Sequence, residues 1–208
     1  MDFGTHPRDR ARVAGSEGAP EKSPVNRASK VGVSSISGQQ ARILRNMSEH
    51  NNQFMIRRAA AADVVAVASM VDELLSEIML AIGVQAFDVA SDETVARLRD
   101  FLDAGRYVVF VAFDRSDEPV GFIAMYESCA LYAGGVFGTI PELYVRPECR
   151  SLGVGQGLLE AAKQFGRSVG WTRLEVTTPP LPEFDRTLAF YEQEGFTVTG
   201  GRKLKASL

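Results

Sequence analysis

A chain of 208 residues, 45% hydrophobic and 24% charged, is long enough for one well-filled core and short for two. Its 23 basic and 26 acidic side chains leave a net charge of −3, which argues against general nucleic-acid binding, and no apolar run approaches the roughly 18 residues of a membrane span. Two cysteines, Cys129 and Cys149, are too few for a disulfide framework and fit a reducing, cytoplasmic setting.

Residues 1–52 are rich in Ser, Gly, Pro, Arg and Gln and hold no sustained hydrophobic period. Residues 1–50 contain 8 Lys and Arg against 5 Asp and Glu, so this stretch is basic while the remainder is acidic. It buries too little apolar surface to offset the cost of ordering, and is expected to be a disordered, weakly basic extension. It lacks the apolar segment of a signal peptide, and Asp2, Asp9, Glu17 and Glu21 count against an organelle transit peptide. Met47 and Met55 both offer later starts, which would make the extension an artefact of the start site; a functionless extension and a basic tethering arm are the other readings.

Patterning begins at Phe54–Arg58, a short first strand. Val67, Val71, Leu74 and Ile78 recur at helical spacing within 62–80. Ser91 suits the N-cap of a second helix running to Asp103, with Asp92 and Glu93 favourable to its dipole and Gly105 ending it. Tyr107–Phe113 is an uninterrupted apolar strand, buried on both faces, and Val120–Tyr126 returns antiparallel after the turn at 116–119. A strand over Thr139–Val145 follows, then a helix burying Leu158, Ala162, Phe165 and Val169. Arg173–Thr177 is a strand, Asp185–Glu194 a helix ended by Gly195, and Phe196–Val198 and Arg202–Lys205 two short closing strands. The expected order is β-α-α-β-β-β-α-β-α-β-β, a mixed α/β domain over residues 54–208.

The most informative stretch is Leu143-Tyr-Val145-Arg-Pro147-Glu-Cys-Arg150-Ser-Leu-Gly153-Val-Gly155-Gln-Gly157-Leu158-Leu159. A strand, a glycine turn and a helix N-terminus in succession aim several unpaired N–H groups at one spot, with the positive end of the helix dipole behind them. This is an anion site, most naturally for a phosphate or pyrophosphate. A P-loop is excluded because no Lys-Ser/Thr follows the glycines, and the Gly-x-Gly-x-Gly order departs from the dinucleotide fingerprint. The only histidines, His6 and His50, precede the patterned region, so Ser-His or Cys-His dyads and His-based zinc sites are absent there and no metal is expected.

This stretch resembles the acetyl-CoA loop of the GNAT N-acetyltransferases, Arg/Gln-x-x-Gly-x-Gly/Ala, preceded by Leu-x-Val-x-Pro. Leu188-Ala-Phe-Tyr191-Glu-Gln-Glu-Gly195-Phe196 is similar to the family's closing Phe/Leu-Tyr-x-x-x-Gly-Phe. The resemblance covers residues 54–208 and is of motif grade in 139–159 and 186–196. It implies the GNAT fold: a mixed, mostly antiparallel central sheet, flanked by helices and splayed where acetyl-CoA binds. Backbone groups of Leu143 and Val145 would pair with the pantetheine arm, and the Val145 N–H would polarise the thioester carbonyl. The loop from Arg150 through Ser151, Gly153, Val154, Gly155 and Gln156 would cradle the pyrophosphate. Tyr191 would protonate the leaving thiolate. Glu142, on the Tyr144 face of its strand, is the best base for the acceptor amine, or binds it as a cation; Glu127 is held in reserve.

The family's asparagine before the tyrosine helix is missing here, where the sequence reads Glu183-Phe-Asp-Arg186-Thr187, leaving Arg186 as a substitute phosphate contact. Cys149 is not expected to act as a nucleophile, since no histidine is available to activate it. The expected function is acetyl transfer to a primary amine by direct attack, the acceptor being a small molecule. Two alternatives are a protein or peptide N-acetyltransferase and a non-catalytic acyl-CoA-binding regulator acting through a partner. The acidic residues Asp72, Glu73 and Glu77 would suit a cationic acceptor or form a solvated face, and members of this family often form homodimers.

Overall fold

The computed structural model describes residues 53–87, 91–199, 203, 204 and 206, so the extension expected over 1–52 lies outside the described residues. In chain order the elements are β1 (Met55–Arg58), α1 (Val64–Ile82), α2 (Ser91–Asp103), β2 (Val108–Phe113), β3 (Pro119–Ala130) and β4 (Gly135–Val145). They continue with α3 (Val154–Ser168), β5 (Leu174–Val176) and α4 (Asp185–Gln193). The strands form one sheet in sequential order, antiparallel from β1 to β4 and parallel between β4 and β5. This is a single mixed α/β domain with helices on both faces, as the sequence predicts.

Local chemistry fixes the elements that frame the sheet. Asp114 accepts from the N–H groups of Ser116 and Glu118 at 2.8 and 3.0 Å, which closes the β2–β3 hairpin as an Asx-type turn. Asp63, at the start of α1, accepts two hydrogen bonds from the Arg57 guanidinium at 2.7 and 2.9 Å and one from the Ala60 N–H at 2.6 Å. Those bonds hold its carboxyl below the usual carboxylate range and pin the helix entry to β1.

Two apolar layers lie on opposite faces of the sheet. One gathers Ile123, Met125 and Ile140 from the strands with Val154, Leu158, Leu159 and Ala162 from α3 and Tyr191 from α4. The other gathers Val109, Val111, Phe122, Ala124 and Tyr144 with Val64, Val67 and Met70 of α1 and Leu98 of α2. Gly157 lets α3 approach β1, since a Cβ there would stand 2.6 Å from the Ile56 side chain. The third glycine of the motif is therefore a packing residue.

Two expectations fail. Val169 does not continue the buried stripe of α3: the helix ends at Ser168 and Val169 is 45% exposed. The Trp171 N–H bonds the Gly166 carbonyl at 2.9 Å and the indole packs over Gly166, so the tryptophan fills that place. Phe196–Val198 is not a strand. The Phe196 N–H is drawn back to the Tyr191 carbonyl at 2.9 Å, closing α4, and Val198 is exposed. Of the last expected strand, 203 and 204 lie in no strand, and 202 and 205 lie outside the described residues.

Candidate active site

The site begins with an irregularity in β4. Glu142 pairs with Ala124 and Thr139 with Tyr126, so Ile140 and Pro141 together oppose Met125, a bulge with one extra residue on β4. The parallel ladder to β5 covers only Gly138, Thr139 and Ile140, and stops at the proline. Proline has no N–H to donate to a neighbouring strand. The last four residues of β4, Glu142 to Val145, are thus paired to β3 alone. Arg146 N–H donates to the Val120 carbonyl at 2.9 Å, which makes Val145 opposite Gly121 a non-hydrogen-bonded pair. Leu143 and Val145 consequently turn their N–H and C=O groups away from β3, into the gap that β5 leaves. An extended amide chain fits such an edge.

At the end of that edge the chain makes a short helical turn over Pro147–Cys149 and enters α3. Ser151 and Gly153 take left-handed backbone angles, φ +62° and +84°. Arg150 N–H is bonded to the Pro147 carbonyl at 3.3 Å, and Gly157 N–H to the Gly153 carbonyl at 2.9 Å. Among the described residues, no backbone carbonyl accepts from the N–H groups of Ser151, Leu152, Gly153, Val154, Gly155 and Gln156. They form a concave donor array at the positive end of α3, suited to an anion. Gly155 is tight against Phe190 of α4, which a Cβ would meet at 3.4 Å. The cradle and the tyrosine helix are therefore in contact.

Glu142 and Tyr191 flank the gap from opposite faces. Strand alternation puts Glu142 with Tyr144, on the α1–α2 face. Burial pushes its carboxyl up to about 7, so it titrates where a general base is most useful. Tyr107 and Tyr126 stack near it at 5.9 Å, and the Tyr107 hydroxyl is raised by burial and then by the Glu142 charge. Tyr191 is 5% exposed and lies in the α3–α4 layer with Ile140 and Val154. Its ring is held between Phe190 and Phe196, each 5.3 Å away. Burial raises its hydroxyl above the ordinary phenol range, so it keeps its proton and remains a donor.

Other candidates are placed elsewhere. Glu127 accepts from the Trp171 indole N–H at 2.9 Å, and its strand position puts it on the face opposite Glu142. The Cys149 thiol is raised by burial, the wrong direction for a nucleophile. Arg186 is exposed on α4. Among the described residues no group of three or more His, Cys, Asp or Glu is arranged to hold a metal, and no helix is long and apolar enough to cross a membrane.

The acidic residues of α1 are engaged in pairs that the sequence reading missed. Glu73 meets the Arg146 guanidinium at 3.1 and 3.3 Å, and Glu77 meets Arg150 at 2.6 and 2.9 Å. Arg150 Nε also donates to the Val145 carbonyl at 2.8 Å, and its guanidinium lies 5.6 Å from the centre of the Tyr144 ring. The signal was present as a matched spacing of four in both segments, one helical turn against one turn of loop.

Residues 105–198 match the family model of the acetyltransferase (GNAT) domain. No protein of curated function matches the chain at a significant level. The fold is similar to that of an aminoglycoside acetyltransferase from an uncultured soil metagenomic sample, crystallised with trehalose, at 21% identity and TM-score 0.61 over 76% of this chain and 98% of that one. It is similar to a putative acetyltransferase from Arthrobacter sp. FB24, at 29% identity and TM-score 0.58 over 74% and 92% of the two chains. A predicted acetyltransferase from Clostridium acetobutylicum, crystallised with acetyl-CoA, gives 16% identity and TM-score 0.60 over 74% and 96%. The parted strands, the donor array and the match over 105–198 agree: the described domain has the fold of the GNAT acetyltransferases, and the match supports an acetyl-CoA-dependent acyltransferase.

Proposed function

We propose that the protein acetylates the primary amine of a small molecule by direct attack on acetyl-CoA, using a domain that spans residues 54–208. One observation carries this reading: the unpaired edge of β4 runs between a carboxyl raised to about 7 on one sheet face and a buried tyrosine on the other. The pantetheine arm pairs with Leu143 and Val145, and the pyrophosphate is held by the N–H groups of Ser151 to Gln156. Glu142 takes a proton from the acceptor ammonium, and the freed amine attacks the thioester carbonyl carbon. The Val145 N–H supports the charge that develops on the carbonyl oxygen. The C–S bond breaks, Tyr191 donates its hydroxyl proton to the departing sulfur, and the second proton released by the acetylated nitrogen restores the tyrosine hydroxyl, directly or through water.

No covalent enzyme intermediate is required, and alignment of the two substrates supplies much of the rate. A small cationic acceptor accords with the carboxylate and tyrosines beside the gap. It accords also with the aminoglycoside acetyltransferase among the similar folds. The test is thiol release from acetyl-CoA across amines, aminoglycosides, amino acids and peptides. Release with at least one small amine, and mass spectrometry showing acetyl on its nitrogen, is the expected result. Turnover confined to peptides would replace the small-molecule assignment, and CoA binding without turnover would remove the enzymatic one.

A further inference from the structure

Two ion pairs join α1 to the end of β4, and they differ in kind. Glu73 pairs with Arg146, and that pair is the more enclosed, with Arg146 28% exposed. Arg150 and Glu77 are 40% and 37% exposed, and Arg150 is the first residue of the anion loop. Through Nε it also holds the Val145 carbonyl, one of the groups turned into the gap. A single guanidinium therefore occupies a carbonyl of the pairing edge and a carboxylate of α1, beside a donor array built for a diphosphate.

Resting on the acetyl-CoA reading above, we infer that Glu77 competes with the CoA pyrophosphate for Arg150. When the diphosphate enters the Ser151–Gln156 array, its charge draws the guanidinium from Glu77 and frees the Val145 carbonyl for the pantetheine amide. Glu73 and Arg146 keep α1 docked meanwhile. Glu77 is then left as an unpaired carboxylate on the α1–α2 face, the face of Glu142, where the acceptor's ammonium must arrive. The two carboxylates of α1 thus have separate roles: Glu73 positions the helix, and Glu77 exchanges a protein cation for a substrate cation. Bound acetyl-CoA thereby improves the site for the amine, a coupling that follows from differential interaction with one side chain.

Calorimetric titration of CoA and of pantetheine into the full-length protein and its Glu77→Gln variant tests this. The pair is half exposed, so its removal is expected to tighten CoA by about two- to fivefold. Pantetheine, which lacks the pyrophosphate, should bind both proteins equally. CoA binding that is unchanged or weaker in Glu77→Gln overturns the inference, and so does an equal tightening of both ligands, which would mean a general loosening of the slot. If Glu77→Gln melts early, Glu77→Ala and Glu77→Asp are read by the same comparison. Absence of CoA binding to the wild type would instead defeat the acetyl-CoA reading itself. With the amine that releases thiol fastest, Glu77→Gln should raise the acceptor KM several-fold and leave kcat within twofold; an unchanged acceptor KM would remove Glu77 from amine binding.

Discussion

In the mechanism proposed above the two faces of the sheet carry the two halves of the reaction, and they are built differently. The α3–α4 face is a tight apolar layer with glycines at its closest approaches, and its donor array comes from backbone alone. The α1–α2 face holds its functional groups as side chains from distant segments: Glu142 from β4, Tyr107 before β2, Tyr126 from β3, and the two glutamates of α1 that grip Arg146 and Arg150. A diphosphate imposes one solution, N–H groups at a helix start, reached through left-handed turns at fixed spacing. An amine imposes only a carboxylate and a wall, and many sequences supply those.

The largest expected effect lies on the buried face. Tyr191→Phe keeps the ring packed between Phe190 and Phe196 and removes only the hydroxyl. It should lower kcat by about 100-fold, with the acetyl-CoA KM nearly unchanged, in steady-state thiol release. A kcat within threefold of wild type would leave the α3–α4 face with binding alone.

Next comes stability on the other face. The Glu142 carboxyl titrates near 7 in the folded chain, above its ordinary value of 4.5, so folding favours its protonated form. Its contribution is complete below about pH 4.5 and is lost as pH rises through 7. Gln cannot ionise, so Glu142→Gln should be more stable than wild type at pH 8 by about 2 kcal/mol and no different at pH 4. Denaturant melts at the two pH values measure this. A difference independent of pH would show that Glu142 is not the buried, strained carboxylate of that face.

The smallest effect separates packing from binding among the motif glycines. Gly157→Ala forces the Ile56 side chain to move and should cost about 1–2 kcal/mol, with CoA affinity preserved. Gly153→Ala places a Cβ at φ +84° and should cost about 1 kcal/mol while also weakening CoA several-fold, because it reshapes the array. Equal losses of CoA affinity in both variants would contradict the division.

Legibility in the sequence followed the same divide. Helix α2 spans Ser91–Asp103 with Asp92 and Glu93 in its first turn as the dipole reading predicts, Ser91 lying within the helix rather than before it, and β2 is buried on both faces as its unbroken apolar run requires. The parting of β4 from β5 came from the resemblance, although Pro141 offered a physical reason within the strand itself. The failures arose where a tertiary partner outweighed local pattern: Trp171 displaced Val169 from the core, and the close of α4 took the N–H of Phe196. The ion pairs of α1 were not read because charges on a helix face look the same whether they meet water or arginines 73 residues away.

The central claim is that a carboxyl on one side of the parted strands draws the proton from the amine. The most direct test is the pH dependence of kcat/KM for the acceptor, in wild type and Glu142→Gln. The wild-type rate should rise with pH through an apparent value near 7, where the Glu142 carboxyl ionises. In Glu142→Gln that limb should vanish and the plateau fall by about 100-fold. The same ascending limb at the same pH in both proteins would contradict the account.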